Sequence, residues 1–379
     1  MLDFTELKRY PHRKNELLQA WDSADELLIA HLLQHVQGKS PDASELKSKR
    51  ILILNDAFGA LSFGLGIGLG VESSQFSVTT YTDSFVSAKG IELNTNGAVS
   101  PIHELSALSG VYDFVCIKVP KNLSFFEDEL YRISGHLHPD SLVVSGAMIK
   151  HLPKGAFDLL EKVIGKTHTS LAKKKARLIF AKFQKQVAAT PYPLSVRLDS
   201  FATPFVNHSN LFSREKLDVG TRFFLEHIPV GNFSRILDLG CANGVIGIRA
   251  QQKNPEAHLI FTDESDMAIQ SARANWQNYY PSRGADFVWT HAYENAEASS
   301  VDLVLCNPPF HQQMVVGDFI ATQMFSDSKH ALKPGGLLRV IGNSHLSYGA
   351  ELKKLFGNCQ KIAANSKFVI WDAVNISAK

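Results

Sequence analysis

The sequence predicts an α/β fold: two doubly wound, mostly parallel sheets in tandem, each taking about half of the 379-residue chain. Three observations carry this. Short, continuously apolar segments of the kind buried on both faces of a parallel sheet alternate with helix-like stretches. The alternation starts again near the midpoint, at Arg235. Between the halves lies Ala188–Pro204, AATPYPLSVRLDSFATP, whose prolines mark a crossing between domains.

In chain order, Leu17–Val36 repeats apolar residues at spacings of three and four, the period of an amphipathic helix. Gly38–Lys49 is polar and contains Pro41, so a loop is expected there. Arg50-Ile-Leu-Ile-Leu-Asn-Asp56 reads as the first strand, and Phe76–Thr80, Phe114–Val119, Ser141–Ser145 and Arg177–Phe183 as further ones. In the second half Arg235–Gly240 is a strand ending at a turn, with a helix over Val245–Gln252. The strands His258–Thr262, Asp302–Cys306, Leu337–Ile341 and Lys367–Ala373 follow.

The halves align with each other. Arg50-Ile-Leu-Ile-Leu-Asn-Asp-Ala-Phe-Gly59 matches Arg235-Ile-Leu-Asp-Leu-Gly-Cys-Ala-Asn-Gly244. Tyr81-Thr-Asp-Ser84 falls near Phe261-Thr-Asp-Glu264, Tyr112–Pro120 aligns with Val301–Pro309, and Leu137–Leu142 with Leu332–Leu337. An internal duplication is expected, although any two doubly wound sheets share some strand spacing.

Composition bounds the function. A hydrophobic share of 45% and a charged share of 20% are those of an ordinary globular protein. The four cysteines stand far apart with no CxxC pair, which excludes a disulfide framework and a zinc site and suits a reducing compartment. No metal is expected. The N-terminus lacks an apolar signal core. The longest apolar run, Ala57–Val71, holds five glycines and is shorter than the roughly 20 residues of a spanning helix. A cytoplasmic protein without a membrane partner is expected. Basic and acidic residues number 39 and 37, leaving +2, which argues weakly against a nucleic-acid partner. That total is an average: Lys162–Arg197 contains nine Lys or Arg and no Asp or Glu. Its centre, Lys173, Lys174, Lys175 and Arg177, is the candidate RNA-binding patch, with a solvated lysine run as the alternative.

Two motifs carry chemistry. Ile236-Leu-Asp-Leu-Gly-Cys-Ala-Asn-Gly244 ends a strand in a glycine turn and opens a helix. Gly240 and Gly244 permit positive φ and a close approach of ligand to backbone, with Asn243 between them. Asp238 precedes the first glycine; it would repel a pyrophosphate and could hold an ammonium, such as that of S-adenosylmethionine. Asp263, ending the next strand, can accept both hydroxyls of a ribose. Alone, Asp238 would be read as a turn cap. The second motif is Asn307-Pro308-Pro309-Phe310, directly after an apolar strand. Two prolines remove two N–H donors, leaving the Asn307 side-chain oxygen and the Pro308 carbonyl as acceptors for the two hydrogens of a planar amine. Phe310 offers a face for a stacked base. A rigid turn is the plain alternative for a bare Pro-Pro.

These motifs resemble those of class I S-adenosylmethionine-dependent methyltransferases, within the subgroup that methylates planar amino nitrogens. More closely, the chain resembles the guanine-N2 rRNA methyltransferases of type G, which act on large-subunit rRNA, and of type C, which act on small-subunit rRNA. The likeness to type G runs over nearly the whole chain, through Ala20-Trp21 to Glu26, Ile51–Leu61, Phe212-Ser213-Arg214, Leu217-Asp218 with Gly220, and Asn307-Pro-Pro-Phe-His-Gln-Gln313. The resemblance implies two tandem Rossmann-like methyltransferase domains. A degenerate domain, residues 1–190, would receive RNA, and a catalytic domain, residues 191–379, would act on 23S rRNA. It also implies that Asp218 and Gly220 cover the methionine end of the cofactor, although Asp218 equally reads as a helix cap. A backbone contact from Ala292 to the adenine is expected, and His311, Gln312 and Gln313 are candidates to touch the target base. The first copy has Ile53 for Asp238, Asn55 for Gly240 and Lys118-Val-Pro120 for Asn307-Pro-Pro309, so it should bind no cofactor. A monomer is expected, because the second domain is already present in cis. Three rivals stand beside this reading: a glutamine-amide protein methyltransferase, a DNA adenine methyltransferase, and a non-catalytic RNA-binding assembly factor.

Overall fold

Ile51, Leu52, Ile53 and Leu54 are completely buried, as a strand covered on both faces must be. They belong to β1 (Lys49–Leu54) of the first of two compact units, Met1–Tyr192 and Pro193–Lys379. The computed structural model describes residues 3–12, 16–37, 49–69, 76–185, 189–309 and 316–376. Most of the loop expected over Gly38–Lys49 lies outside the described residues, and Lys49 already belongs to β1.

In the first unit, β1 is joined by β2 (Phe76–Tyr81), β3 (Tyr112–Lys118), β4 (Leu137–Met148), β5 (Thr167–Thr169) and β6 (Ala176–Lys182). They form one sheet in the order β2-β1-β3-β4-β6-β5. The helices are α1 (Ser23–Gln37), α2 (Ala60–Leu69), α3 (Phe85–Asn94), α4 (Leu123–Ser134) and α5 (Ala156–Val163). The second unit opens with the short hairpin β7 (Leu194–Val196) and β8 (Phe205–Asn207), then α6 (Val219–Glu226). Its main elements are β9 (Arg235–Leu239), α7 (Val245–Lys253), β10 (His258–Asp263), α8 (Asp266–Tyr279), β11 (Asp286–Trp289), β12 (Val301–Cys306), α9 (Val316–Ala331), β13 (Leu332–Asn343), α10 (Tyr348–Phe356), β14 (Gln360–Ala364) and β15 (Phe368–Val374). The seven-stranded order is β11-β10-β9-β12-β13-β15-β14. No helix among the described residues is long and apolar enough to cross a membrane.

Apart from β11, the two strand orders are the same. In each sheet the last two strands in sequence form an antiparallel hairpin against an otherwise parallel sheet. Where β11 flanks β10, the first unit has a single parallel bridge, Tyr81 to Ile102. A shared contact repeats as well: the Asp113 carboxylate accepts from Arg50 N at 2.9 Å, and Asp302 accepts from Arg235 N at 2.8 Å. One part of the sequence alignment shifts. Leu54 pairs with Tyr81, and Leu239 with Thr262, so Thr82 rather than Asp83 stands at the position of Asp263. Ser84 N donates to Thr82 Oγ1 at 3.2 Å, just as Ser265 N donates to Asp263 Oδ1 at 3.0 Å.

Alternation along the central strands builds the second core in two layers. Ile236, Leu259, Phe261, Leu303 and Leu305 pack with Phe224, Ile248 and Trp276 from α6, α7 and α8. Leu237, Ile260 and Val304 pack with Phe325 and Leu352 from α9 and α10.

The first helix starts later than its periodicity suggests. Leu17 and Leu18 are exposed, and α1 begins at Ser23 because Asp22 caps it. Asp22 Oδ1 accepts from Ala24 N at 2.8 Å, while Asp25 Oδ2 accepts from Asp22 N at 2.8 Å. This reciprocal pair is a capping box built from two aspartates. The Lys118 ammonium pairs with the same two side chains, at 2.7 Å from Asp22 and 2.8 Å from Asp25. The proline-rich crossing contributes β7 to the second unit, an addition to its expected role. We expect Asp22→Ala to cost the first unit about 1 kcal/mol in denaturant unfolding, the usual loss for a helix cap. Asp22→Asn keeps the cap and removes only the charge, so it should cost less.

Candidate active site

Asp238, Gly240, Asn243, Gly244, Asp263, Asn307 and Pro308 lie at or just beyond the carboxyl ends of β9, β10 and β12, the edge at which open α/β sheets bind ligands. After β9 the chain turns through left-handed conformations, with φ of +75° at Gly240, +48° at Ala242 and +79° at Gly244. The N–H groups of Gly240 and Cys241 both donate to Thr262 O at 2.9 Å. A Cβ on Gly244 would meet Ala272 at 3.2 Å and Phe261 at 3.3 Å, so glycine is required on two counts.

Asp238 is 1% exposed. Its Oδ2 accepts from Gly247 N at 2.7 Å, whereas Oδ1 is buried without a hydrogen-bond partner. Burial pushes this carboxyl well above the usual aspartate range, and the neighbouring Asp263 charge adds to the shift. Such a group favours a cationic ligand that restores its ionised form. Sequence reasoning missed Gly247. A Cβ there would lie 2.2 Å from Phe261 Cε1 and 3.1 Å from Asp238 Oδ2, so only glycine lets α7 descend onto the carboxylate. Its signal was a glycine inside a helical pattern, which marks a close approach.

Asp263 ties two loops together: Oδ2 accepts from Ala242 N at 2.9 Å and Oδ1 from Ser265 N at 3.0 Å. Burial raises its carboxyl too. Each oxygen retains acceptor capacity for a hydroxyl. Asn243 is committed to the turn itself, accepting from Val245 N at 3.2 Å and donating to Asn207 Oδ1 at 3.0 Å. Asn207 and Asn275, both buried, are further residues that the sequence did not reveal. Asn207 Nδ2 donates to Arg214 O at 2.7 Å, and Asn275 Nδ2 to Asn243 O at 3.0 Å. They anchor the glycine turn to β8 and to the loop before α6. Ala292 has φ of +49° and packs beside the α9 layer; Thr290 N, just before it, donates to Asp263 O at 2.9 Å.

Asp218 caps α6, accepting from Thr221 N at 3.0 Å. A Cβ on Gly220 would come within 2.9 Å of Phe368 Cε1, so Gly220 permits α6 to pack against β15. The same turn reaches the second motif: Asn307 Nδ2 donates to Thr221 Oγ1 at 3.0 Å. Asn307 Oδ1 is buried without a partner. Pro308 is buried and Pro309 exposed. Phe310, His311, Gln312 and Gln313 lie outside the described residues.

In the first unit, Lys173, Lys174 and Lys175 are exposed at a two-residue turn. Lys173 and Ala176 exchange both backbone hydrogen bonds at 2.9 Å, and Lys174 and Lys175 take φ of +48° and +62°. Lys174 pairs with Glu26 at 2.7 Å. Arg177 is half-buried, with its Nε enclosed, which sets it apart from the three lysines.

Comparisons with known proteins bear on this arrangement. Residues 2–185 match the RLMG N-terminal domain and residues 202–372 the Methyltransferase small domain. The chain is 45% identical over 377 residues to the ribosomal RNA large subunit methyltransferase G of Pseudomonas putida (strain GB-1), covering 97% of this chain and 96% of that protein. It is 44% identical over 376 residues to the protein of the same name from Pseudomonas savastanoi pv. phaseolicola, with the same coverage of 97% and 96%. Among solved structures, the T. thermophilus 16S rRNA N2 G1207 methyltransferase, in complex with AdoMet and guanosine, aligns with a TM-score of 0.73. That match has 18% identity and covers 93% of this chain and 92% of that one. The chain therefore belongs to the ribosomal RNA large subunit methyltransferase G family.

Proposed function

We propose that the second unit transfers a methyl group from S-adenosylmethionine to the exocyclic N2 amine of a guanine in 23S rRNA. The observation that carries this reading is the buried Oδ1 of Asn307 beyond the end of β12, an acceptor with no hydrogen-bond partner among the described residues. The names of the relatives support the rRNA substrate, and that of the T. thermophilus structure the guanine N2 position. The reading includes a cytoplasmic monomer.

The donor set fits the cofactor. The unpartnered Asp238 oxygen suits its ammonium, Asp263 suits its ribose hydroxyls, and Gly240 and Gly244 leave the backbone open beside it. When bound, S-adenosylmethionine supplies an electrophilic methyl group. Asn307 Oδ1 and the Pro308 carbonyl would accept the two amine hydrogens and so aim the nitrogen lone pair. As the nitrogen gains a fourth bond, the same two acceptors stabilise the positive charge that develops on it. Phe310 is proposed to stack on the base. Alignment of this kind supplies much of the acceleration, and the surplus proton can leave to water.

The first unit is read as a degenerate copy. Ile53, fully buried, replaces Asp238, and Thr82 replaces Asp263. Asn55 replaces Gly240, and its Nδ2 donates to Lys118 O and to Glu129 Oε2, both at 3.1 Å. Lys118 replaces Asn307 and spends its ammonium on Asp22 and Asp25. Burial pushes the Asp25 carboxyl up to about 6 against the pull of that ammonium. Polar side chains thus occupy the edge that the second unit leaves for a ligand. RNA support, through Lys173, Lys174 and Lys175 with Arg177 beside them, is its proposed role.

Labelled cofactor incubated separately with rRNA, ribosomal subunits, DNA and protein tests the reading; label in DNA or protein alone would overturn it. Asn307→Ala should nearly abolish turnover while cofactor affinity survives, and turnover within about tenfold of wild type would reject its role. Cofactor affinity should fall on acidification, at a pH above the ~3.9 at which a free aspartate protonates. The raised Asp238 carboxyl must lose its proton to hold the ammonium, and Asp238→Asn should flatten that dependence. Replacing Lys173, Lys174 and Lys175 by Gln should weaken RNA binding and reduce its salt slope by about one per lost phosphate contact. Unchanged titrations would remove these lysines from the interface.

A further inference from the structure

Asn307 can serve as an acceptor only if its amide is held one way round. A side-chain amide has an oxygen face and an NH2 face of almost equal shape. Turned over, Asn307 would present two donors to a substrate amine that itself carries two hydrogens. Something must select the productive orientation. The second unit contains a chain of three groups able to do so, and only its two ends come from residues that the motifs had singled out.

Asp218 lies at one end. Its Oδ2 accepts from Thr221 N at 3.0 Å and lies 3.5 Å from Thr221 Oγ1. An ionised carboxylate only accepts hydrogen bonds, so a hydroxyl facing it points its hydrogen toward the acid. Thr221 Oγ1 is then left with lone pairs for its other neighbour, Asn307 Nδ2, at 3.0 Å. The amide must offer that neighbour its NH2, and Oδ1 must face the opposite way. There it is buried and has no hydrogen-bond partner among the described residues. Thr221 itself is 7% exposed, so water competes little for its hydroxyl.

We propose that Thr221 is a positioning residue for methyl transfer: its hydroxyl, polarised by Asp218, fixes the Asn307 amide with its oxygen toward the substrate amine. The assignment rests on the amine-methylating function proposed above. It predicts a substrate with a planar NH2 group, because a carbonyl or ring-nitrogen acceptor at that spot would require the reverse orientation.

The test uses Thr221→Val, which keeps the shape of the side chain and removes the hydroxyl, and Thr221→Ser, which restores it. Both are assayed as full-length protein with S-adenosylmethionine and large-subunit rRNA, alongside the dissociation constant for S-adenosylmethionine, RNA affinity and the melting temperature. Expected for Thr221→Val is a fall in kcat of about 10- to 100-fold, the scale of a small misplacement of a reacting group. Both dissociation constants and the melting temperature should stay near wild type. Thr221→Ser should recover kcat to within about threefold, since one hydroxyl replaces another. An unchanged kcat in Thr221→Val would overturn the proposal, as would a loss explained wholly by weaker cofactor binding. A serine variant as slow as the valine one would overturn it even if Thr221→Val folds poorly. Absence of methyl transfer by the wild-type protein to any planar amine would instead reject the functional reading beneath it.

Discussion

A carboxylate enclosed at the end of the central strand is the constraint around which the second unit is arranged. Burying an ionised carboxylate costs several kcal/mol unless partners replace its water. Among the described residues, Asp238 receives only one such partner, the N–H of Gly247. Delivering that N–H requires α7 to come so close to β9 and β10 that Gly247 can carry no Cβ. Starting α7 so early requires the left-handed turn through Gly240, Ala242 and Gly244. That turn is held from outside by Asn207 and Asn275. The remaining oxygen is left for something the protein does not provide. A fold selected for stability alone would place an apolar residue there.

The first unit does place one. Ile53 stands at the corresponding position and is fully buried, and the rest of that edge changes with it. Asn55 extends a side chain where Gly240 has none. Its Nδ2 reaches Glu129, while a Cβ at Gly240 would meet Met324 from the corresponding helix. The two copies share strand order and the Asp–Arg contact at the start of their first strands, yet one spends its polar groups on itself. One strand order thus carries two different arrangements of polar groups at the same sheet edge within one chain. The Lys118–Asp22–Asp25 cluster and the Asn307–Thr221–Asp218 chain make the contrast concrete. Both connect the end of the corresponding strand to the cap of a helix, by charge in one case and by directed hydrogen bonds in the other.

The layout of the sheets was legible because parallel strands buried on both faces must be largely apolar, and the middles of β1, β3, β9 and β12 are, with Asp238 the one charged exception in β9. The edge strands were not: β14 is exposed at most positions and β5 at two of three, so neither has an apolar run to read. The start of α1 was misread because Leu17 and Leu18 continue the helical spacing, while the chain obeys the capping pair Asp22 and Asp25. Of the candidate site, Asp238, Asp263, Gly244 and Asn307 could be picked out because each carries chemistry or an unusual conformation at a strand end. Asn207, Asn275 and Thr221 could not be, since their roles depend on neighbours distant in sequence, and Gly247 gave only the faint signal of a glycine inside a helical pattern. The alignment of Tyr81 with Phe261, where the strands set it level with Thr262, slips for the same reason. Similar letters aligned, but strand register decides which residue ends the strand.

The charge balance of the chain acquires a different meaning once its lysines are placed. Lys174 and Lys175 sit at the two central positions of a turn that normally takes Asn-Gly, because both residues need positive φ. A lysine held there costs roughly 1–2 kcal/mol relative to glycine. Neither is spent on packing, since both are exposed. The ion pair of Lys174 with Glu26 lies at the surface, where water and salt leave such pairs little net strength. A phosphate group could therefore take over that ammonium at small expense. Strain retained at an exposed basic turn, with a counter-charge that yields easily, is the feature on which the RNA role proposed for this turn rests. A net charge of +2 is an average over the chain and says nothing against a local cluster of positive charge at this turn.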